Sequence, residues 1–556
     1  MGNSIEFKLF APYNNQAKLI GSFSEGQEIA MEKDDKGYFR SFVDLKDGIY
    51  EYKFRIQSKS WSLPSDEWVD INDPYVKEID IKSKNGIVRI KDGAKVVDSY
   101  VWKHDDKPLP SDSELIIYEM HVEDFSGGKG DESKKGTYQD IIDKLDYLSD
   151  LGINAIELMP VGECPGDDYS WGYTPSLFFA PNPRYGSTED LKRLIDECHG
   201  RGIRIILDQL YNHCSEDNPL FQIDRDYWFY HDRHHPEDEY YWGPEFNYDG
   251  YDENLNICPA KEFMGDVVRY WIQEYHIDGI RYDALKQMDN FPFLEWLTSE
   301  AKKTAGDKPF YNIGEHVPEK PDIVAPNGPI DASWHDSFHN FIVSELCTNT
   351  FDLEKIEEVL DPRRQGYPVG VSKVINYLSN HDQNRLIRDF GNCGVFDKLA
   401  FQRIELGATI LMTAPGVPMI WMGQEFGEYT SRKPNEKNAL HWSLLDNEAN
   451  RNLFDVYKNL IALRKQHHHA LLMSDIEFFH ENTDSHVLAY VRWNNEGSRV
   501  VVVANFSGNY FGDYVVPNFP ENGTWHEWKD NYDVNVENNE LSIDLPEFTA
   551  KVFVWQ

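Results

Sequence analysis

Ile203-Arg204-Ile205-Ile206-Leu207-Asp208-Gln209-Leu210-Tyr211-Asn212-His213 holds an apolar run that gives way abruptly to polar side chains. A short apolar run reads as a strand covered on both faces, and the polar residues after it mark where it emerges. Upstream, Thr188–Gly200 has helical spacing, with Glu189 and Asp190 in its first turn. Runs of the same kind recur at Leu115–Met120, Ile153–Met159, Gly279–Ala284, Phe310–Gly314, Ala332–Trp334, Val374–Leu378 and Val417–Met422. Helical patterns at 261–275, 292–303, 397–412 and 451–465 stand between or after them. Strand and helix in alternation imply a parallel sheet. Eight such units over about 350 residues fit an α/β fold, a (β/α)8 TIM barrel.

The flanks read differently. Residues 1 to about 105 are short strands, with strict period two in Gly48–Phe54, the pattern of an antiparallel β-sandwich. After Ala470 short strands return at Val487–Arg492, Val500–Val503, Leu541–Ile543 and Lys551–Val554. The expected domains are an N-terminal β-sandwich (1–105), a barrel (106–468) with an insertion at about 210–260, and a C-terminal all-β domain (469–556).

The 556 residues carry 95 Asp and Glu against 55 Lys and Arg, a formal charge of −40. That excludes a nucleic-acid binder held by phosphate contacts and disfavours an anionic membrane surface. A neutral polyhydroxyl ligand is indifferent to the sign of the field. The six cysteines are scattered without a C-x-x-C pair, no apolar stretch approaches about 18 residues, and the N-terminus lacks a basic-then-apolar leader. A cytoplasmic protein with free thiols is expected, with oligomeric state left open.

Active sites of such barrels lie at the C-terminal strand ends. Four ends here are unusually polar: Asp208–His213, Arg281-Tyr282-Asp283-Ala284-Leu285-Lys286, Gly314-Glu315-His316 and Asn380-His381-Asp382. Period two puts Arg281 and Asp283 on one face, and a carboxylate beside a guanidinium is held ionised, which suits a nucleophile. Glu315 has no adjacent cation except His316, which leaves it free to hold a proton. Two carboxyl groups with opposed protonation demands suit glycoside hydrolysis through an oxocarbenium-like transition state. Asp382 is placed to stabilise the developing positive charge. The bland reading, strand-end carboxylates in structural ion pairs, would suit any one of these residues better than all of them together.

These segments, in this order, resemble the conserved regions of the α-amylase superfamily, glycoside hydrolase family 13. So do Tyr118-Glu119-Met120-His121-Val122, Glu157-Leu158-Met159-Pro160-Val161, Trp171-Gly172-Tyr173 and Met422–Gly427, and the likeness spans essentially the whole chain. The closest likenesses are to amylases, branching enzymes and maltooligosyl-trehalose trehalohydrolases. The resemblance implies a retaining mechanism with Asp283 as nucleophile, Glu315 as general acid/base and Asp382 as transition-state stabiliser. It also implies that Arg281 and Asp208 orient the nucleophile, that His213 and His381 hydrogen-bond the sugar, and that Tyr173 stacks on it. Lys286 matches the Ala-x-Lys pattern of α-1,4-acting members, as a substrate contact. The expected substrate is a starch- or glycogen-type α-1,4-glucan or a maltooligosaccharide, with hydrolysis preferred. The rivals are an α-glucan transferase, a trehalose-releasing hydrolase and a non-catalytic glucan-binding scaffold.

No cofactor or metal is expected. Gln287 stands where calcium-binding members commonly have His, so calcium is not favoured. His231, His234 and His235, like His467–His469, lack helix spacing with a carboxylate partner. Trp228, Tyr240, Tyr241 and Trp242 in the insertion serve either as substrate contacts or as packing.

Overall fold

The computed structural model describes residues 3–96, 100–125, 135–165, 171–234, 241–348, 350–430, 439–473, 475–494 and 497–555. His235 and Tyr240 lie outside them. Eight parallel strands close into a barrel: β1 (Ile117–Met120), β2 (Ala155–Leu158), β3 (Arg204–Gln209), β4 (Gly279–Tyr282), β5 (Tyr311–Gly314), β6 (Ala332–Trp334), β7 (Val374–Tyr377) and β8 (Val417–Trp421). Each corresponds to one of the apolar runs.

Register explains how the interior is layered. Ile117 pairs with Ala155, Glu119 with Glu157, Glu157 with Ile206, Asp208 with Arg281, and Arg281 with Ile313. Period two therefore places Ile117, Ala155, Ile206 and Ile313 in a lower layer, where they pack with Trp334, Ile375 and Met419. One step further along each strand the same interior face carries Glu119, Glu157, Asp208 and Arg281. An apolar floor thus supports a charged layer at the strand ends.

The N-terminal domain forms two antiparallel sheets, one centred on Tyr38–Leu45 and the other on Gly48–Gln57. It docks on the insertion helix Pro219–Trp228: Asn14 Nδ2 and Lys59 N both donate to the Ile223 carbonyl, at 2.8 and 2.9 Å, and Ser58 Oγ to that of Gln222 at 2.6 Å. The C-terminal domain has a six-stranded sheet and a two-stranded one. Its strand Val487–Trp493 is buried on both faces, against its own core (Val501, Val503, Phe553) and against the helix Asp397–Thr413 through Tyr490, whose hydroxyl lies 2.6 Å from Thr413 Oγ1.

Two buried arginines, Arg464 on the last barrel helix (Glu448–Gln466) and Arg492 on this domain's strand, converge on the start of β8. Arg464 donates to the carbonyls of Met412 (2.8 Å), Ala414 (3.3 Å) and Gly416 (2.5 Å). Arg492 donates to those of Thr413 (2.5 Å), Leu471 (3.1 Å), Asp475 (2.9 Å) and Met473. Burial pulls both guanidinium groups down, to about 10 for Arg464 and about 9 for Arg492, and neither faces a carboxylate partner close enough to offset it. The carbonyls are satisfied by these groups because the turn between helix and strand cannot satisfy them itself. Gly416 is required in that turn: its φ is +133°, and an added Cβ would stand 2.3 Å from Asn376 Nδ2.

Arg492→Met should leave several carbonyls buried and unpaired, at a cost of about 3 kcal/mol or more. A shift in the denaturant midpoint corresponding to less than about 1 kcal/mol would refute the clamp.

Candidate active site

The charged layer is organised by one side chain. The Arg281 guanidinium is fully buried, with its plane centred 4.2 Å from the Trp334 ring, which shields one face from water. Its Nη1 donates to Asp208 Oδ1 at 2.8 Å and Asp208 Oδ2 at 3.0 Å, and to Asp283 Oδ1 at 2.6 Å. Its Nη2 lies 3.0 Å from Glu315 Oε2, an ion-pair contact without hydrogen-bond alignment. The pairing of Arg281 with Asp283 follows the period-two expectation. Glu315, however, was expected to lack a cationic neighbour other than His316. It shares Arg281 because β4 and β5 are adjacent, and His316 turns away to donate from Nδ1 to the Pro318 carbonyl at 2.7 Å.

Glu315 is held by a second device. Ala284, directly after Asp283, adopts φ +52°, a left-handed conformation costing an alanine roughly 1–2 kcal/mol. The twist aims its N–H at Glu315 Oε2, at 3.0 Å. The chain then enters the short helix Leu285–Met288, where Lys286 is exposed.

One guanidinium serves three carboxyl groups, so the cluster is short of positive charge. Burial raises Asp283 well above the ordinary carboxylate range; Arg281 opposes this, while Glu315 and Asp208 add to it. The expectation that Arg281 alone keeps Asp283 low is therefore corrected: desolvation outweighs the single shared cation. Burial likewise pushes Asp208 up to about 6 against the pull of Arg281.

Around the cluster, Tyr173 donates its hydroxyl to Asp208 Oδ2 at 2.5 Å and stacks on His381, with ring centroids 4.8 Å apart and a 15° interplanar angle. His213 is buried, and burial lowers it to about 4, so its imidazole is neutral at neutral pH. Its Nε2–H donates to the Tyr173 carbonyl at 3.0 Å, which fixes the tautomer and the Tyr173 segment together. Asp382 projects from the end of β7 with its side chain 40% exposed, 3.4 Å from His381 Nε2. Of the insertion's aromatic residues, Trp228 is buried, whereas Trp242 lies 5.6 Å from His213.

Two further acidic residues, Glu119 and Glu157, stand inside the apolar strand runs and face the same cluster. Glu119 Oε1 lies 2.7 Å from His381 Nδ1, and Oε2 accepts from the His381 backbone N–H at 3.2 Å, so Glu119 sets the ring's orientation. Glu157 lies beside it, fully buried, and neither carboxyl oxygen has a hydrogen-bond partner among the described residues. The signal was a charged residue inside an otherwise apolar strand run, which is costly unless the site uses it.

A closed parallel barrel with an acid-rich cluster at its C-terminal face defines a TIM-barrel enzyme. Residues 120–263 and 254–446 match the alpha amylase catalytic domain, residues 479–556 the alpha amylase C-terminal all-beta domain, and residues 1–76 carbohydrate-binding module 48, the isoamylase N-terminal domain. The chain belongs to the α-amylase superfamily, glycoside hydrolase family 13, whose members act on α-glucans. It is 28% identical over 463 residues to the malto-oligosyltrehalose trehalohydrolase of Saccharolobus solfataricus, covering 77% of this chain and 74% of that protein. It is 25% identical over 560 residues to the 1,4-alpha-glucan branching enzyme GlgB of Vibrio parahaemolyticus, covering 91% and 69%. The fold is shared with a pullulanase from Anoxybacillus solved with maltotetraose (TM-score 0.82, 21% identity, 100% of this chain and 86% of that one).

Burial pushes Glu157 from an ordinary 4.5 up to about 8, with Asp208 adding to the rise. Below the unfolded value both states are protonated and nothing is lost. Between 4.5 and 8 the unfolded chain ionises while the folded one keeps its proton, so stability falls by about 1.4 kcal/mol per pH unit. Glu157→Gln removes that loss, so its gain in thermal midpoint should be small at about pH 5 and large at about pH 8. A gain independent of pH would contradict a buried neutral carboxyl.

Proposed function

We propose that this enzyme hydrolyses α-1,4-glucosidic bonds in starch- or glycogen-type glucans and maltooligosaccharides with retention of configuration. The observation that carries the reading is the convergence of Asp283 and Glu315 on the two terminal nitrogens of one guanidinium, which sets the two carboxyl groups side by side. Retaining glycosidases place their carboxyl groups about 5–5.5 Å apart, whereas inverting ones leave a wider gap for water.

In the first step protonated Glu315 gives its proton to the glycosidic oxygen as the Asp283 carboxylate attacks the anomeric carbon. The C–O bond to the leaving chain breaks, and a glycosyl ester forms on Asp283. In the second step Glu315, now ionised, takes a proton from water. The water oxygen attacks the same carbon, and Asp283 leaves as a carboxylate. Asp382, on the open side of the cluster, stabilises the positive charge on the sugar ring, and His381, oriented by Glu119, hydrogen-bonds its hydroxyls. Tyr173 presents the ring face opposite His381 to the sugar, and Lys286 contacts the glucan from the helix that follows β4. His213, expected to hydrogen-bond the sugar itself, has its Nε2–H committed to the Tyr173 carbonyl and so acts by holding that segment, while Asp208 and Arg281 orient Asp283.

A second reading, release of trehalose from a maltooligosyl-trehalose, is favoured by the trehalohydrolase relative, which aligns over 77% of this chain. Incubation with maltoheptaose, soluble starch, pullulan and maltooligosyl-trehalose separates the outcomes. Short maltodextrins with a gain in reducing ends support hydrolysis. New α-1,6 branches without that gain would identify a transferase, and free trehalose would establish the second reading. Asp283→Asn and Glu315→Gln should each lower kcat by about 10²-fold or more. Wild-type turnover in Asp283→Asn would refute the assigned chemistry.

The pH profile tests the shared guanidinium. The acid limb of kcat/KM reports the cluster's loss of a proton as Asp283 becomes a nucleophile. Asp208 raises Asp283 by its charge and draws on the same cation. Asp208→Asn should therefore move the acid limb to lower pH even as it lowers the maximal rate. An acid limb that stays in place would mean that Asp208 does not act on Asp283 through charge.

A further inference from the structure

Two of the six cysteines meet across a pair of barrel helices. Cys347 lies in the last turn of the helix Asp336–Thr348, which follows β6. Cys393 caps the C-terminus of the helix Leu386–Asn392, which follows β7, and its N–H donates to the carbonyls of Asp389 (3.0 Å) and Phe390 (3.1 Å). The two helices pack against each other. Both side chains are free thiols, and the Cys347 S–H donates to the Cys393 sulfur. Cys347 is half-buried and Cys393 exposed, whereas Cys164, Cys198 and Cys214 are buried.

A third helix, Asp397–Thr413, brings a cation to the pair. Arg403 Nη1 donates to the carbonyls of Leu346 and of Cys347, the latter at 3.2 Å, and the guanidinium lies 3.9 Å from the centre of the Phe548 ring in the C-terminal domain. Arg403 thus closes the C-terminal end of the Cys347 helix, and its charge interacts favourably with both sulfurs in their ionised form. Burial and the Cys393 thiol nevertheless hold Cys347 protonated against that pull. The two sulfurs therefore differ as the partners of an oxidisable dithiol must. One is exposed beside a cation, where an oxidant reaches it, and the other is sheltered and protonated in contact with the first. A thiol–thiol contact is also the arrangement from which a disulfide forms with little backbone movement.

We propose that Cys347 and Cys393 are a modification site, a dithiol that a peroxide converts into a reversible disulfide. The Cys393 thiolate attacks one peroxide oxygen, the O–O bond breaks, and Cys393 becomes a sulfenic acid. The departing hydroxide takes up the proton that the thiol had released. The Cys347 sulfur then attacks the Cys393 sulfur, the S–S bond forms as the S–O bond breaks, and the second hydroxide leaves as water with the Cys347 proton. The two thiols lose two electrons and two protons, and hydrogen peroxide is reduced to two waters. A thiol reductant reverses the bond by exchange. The bridge closes the segment 347–393, which contains all of β7 and the strand end that carries His381 and Asp382. A cross-link over such a length stabilises chiefly by restricting the unfolded chain. Oxidation therefore ties down the Asp382 strand end from behind, without adding any group to the Arg281 cluster.

The test treats the full-length protein with hydrogen peroxide and maps its peptides without reduction. The peptides of Cys347 and Cys393 should be joined, with the loss of two hydrogens, and dithiothreitol should separate them. The oxidised protein should show a higher thermal midpoint than the reduced one. Cys393→Ser should abolish both the joined peptide and the upward shift, while its turnover of soluble starch under reducing conditions stays at the wild-type level. Cys347→Ser should leave Cys393 as a sulfenic acid that dimedone traps. The mapping of the wild-type protein decides the matter by itself. The proposal is overturned if Cys393 remains a thiol, proceeds to a sulfinic acid or joins another cysteine while Cys347 stays reduced, or if the thermal midpoint rises equally in Cys393→Ser.

Discussion

A single buried guanidinium organises the strand-end chemistry of this barrel. Arg281 enters from the interior face of β4, lies against Trp334 and distributes its charge over Asp208, Asp283 and Glu315. Removing such a cation from water is expensive, and a close partner offsets the cost only with good geometry. Asp208 has both oxygens on Nη1, where they share two N–H groups with Asp283. What remains for Asp283 and Glu315 is a fraction of one charge. The consequence is a site with spare proton affinity, which acid/base chemistry requires and a fully neutralised ion-pair network would lack.

The rest of the barrel's charged layer fits that economy. Glu119 orients His381, and Glu157 beside it has no hydrogen-bond partner among the described residues. Negative charge at Glu119, Glu157, Asp208 and Asp283 would be mutually repulsive in a low-dielectric interior, and burial raises all four. Burial therefore holds several of them protonated, and the apolar layer of Ile117, Ala155, Ile206 and Ile313 below excludes the water that would ionise them. The surface excess of acid, which dominates the net charge of −40, adds to the same tendency from a distance at which salt screens it.

Much of this was legible in the sequence because the barrel's information is local. Each strand is a short apolar run and each polar side chain follows directly after one, so Asp208, Arg281, Asp283, Glu315, His381 and Asp382 could be placed at strand ends without coordinates. What was not legible depends on pairing between strands. The contact between Arg281 and Glu315 arises from the adjacency of β4 and β5 and from a left-handed alanine, neither visible as a pattern. His213 could be placed near the site, but the commitment of its Nε2 proton to the Tyr173 carbonyl joins residues 40 positions apart.

The arginine clamp on β8 bears on the order in which the chain matures. Arg464 and Arg492 follow β8 in sequence, yet they satisfy the carbonyls of the turn that launches it. β8 is also the strand that meets β1 and closes the ring. A chain emerging residue by residue can thus lay down its first seven barrel strands while the turn into the eighth still lacks its donors, and closure of the barrel becomes a late, long-range event. The C-terminal domain is then a latch whose arrival completes the catalytic domain, and the two mature as one cooperative unit.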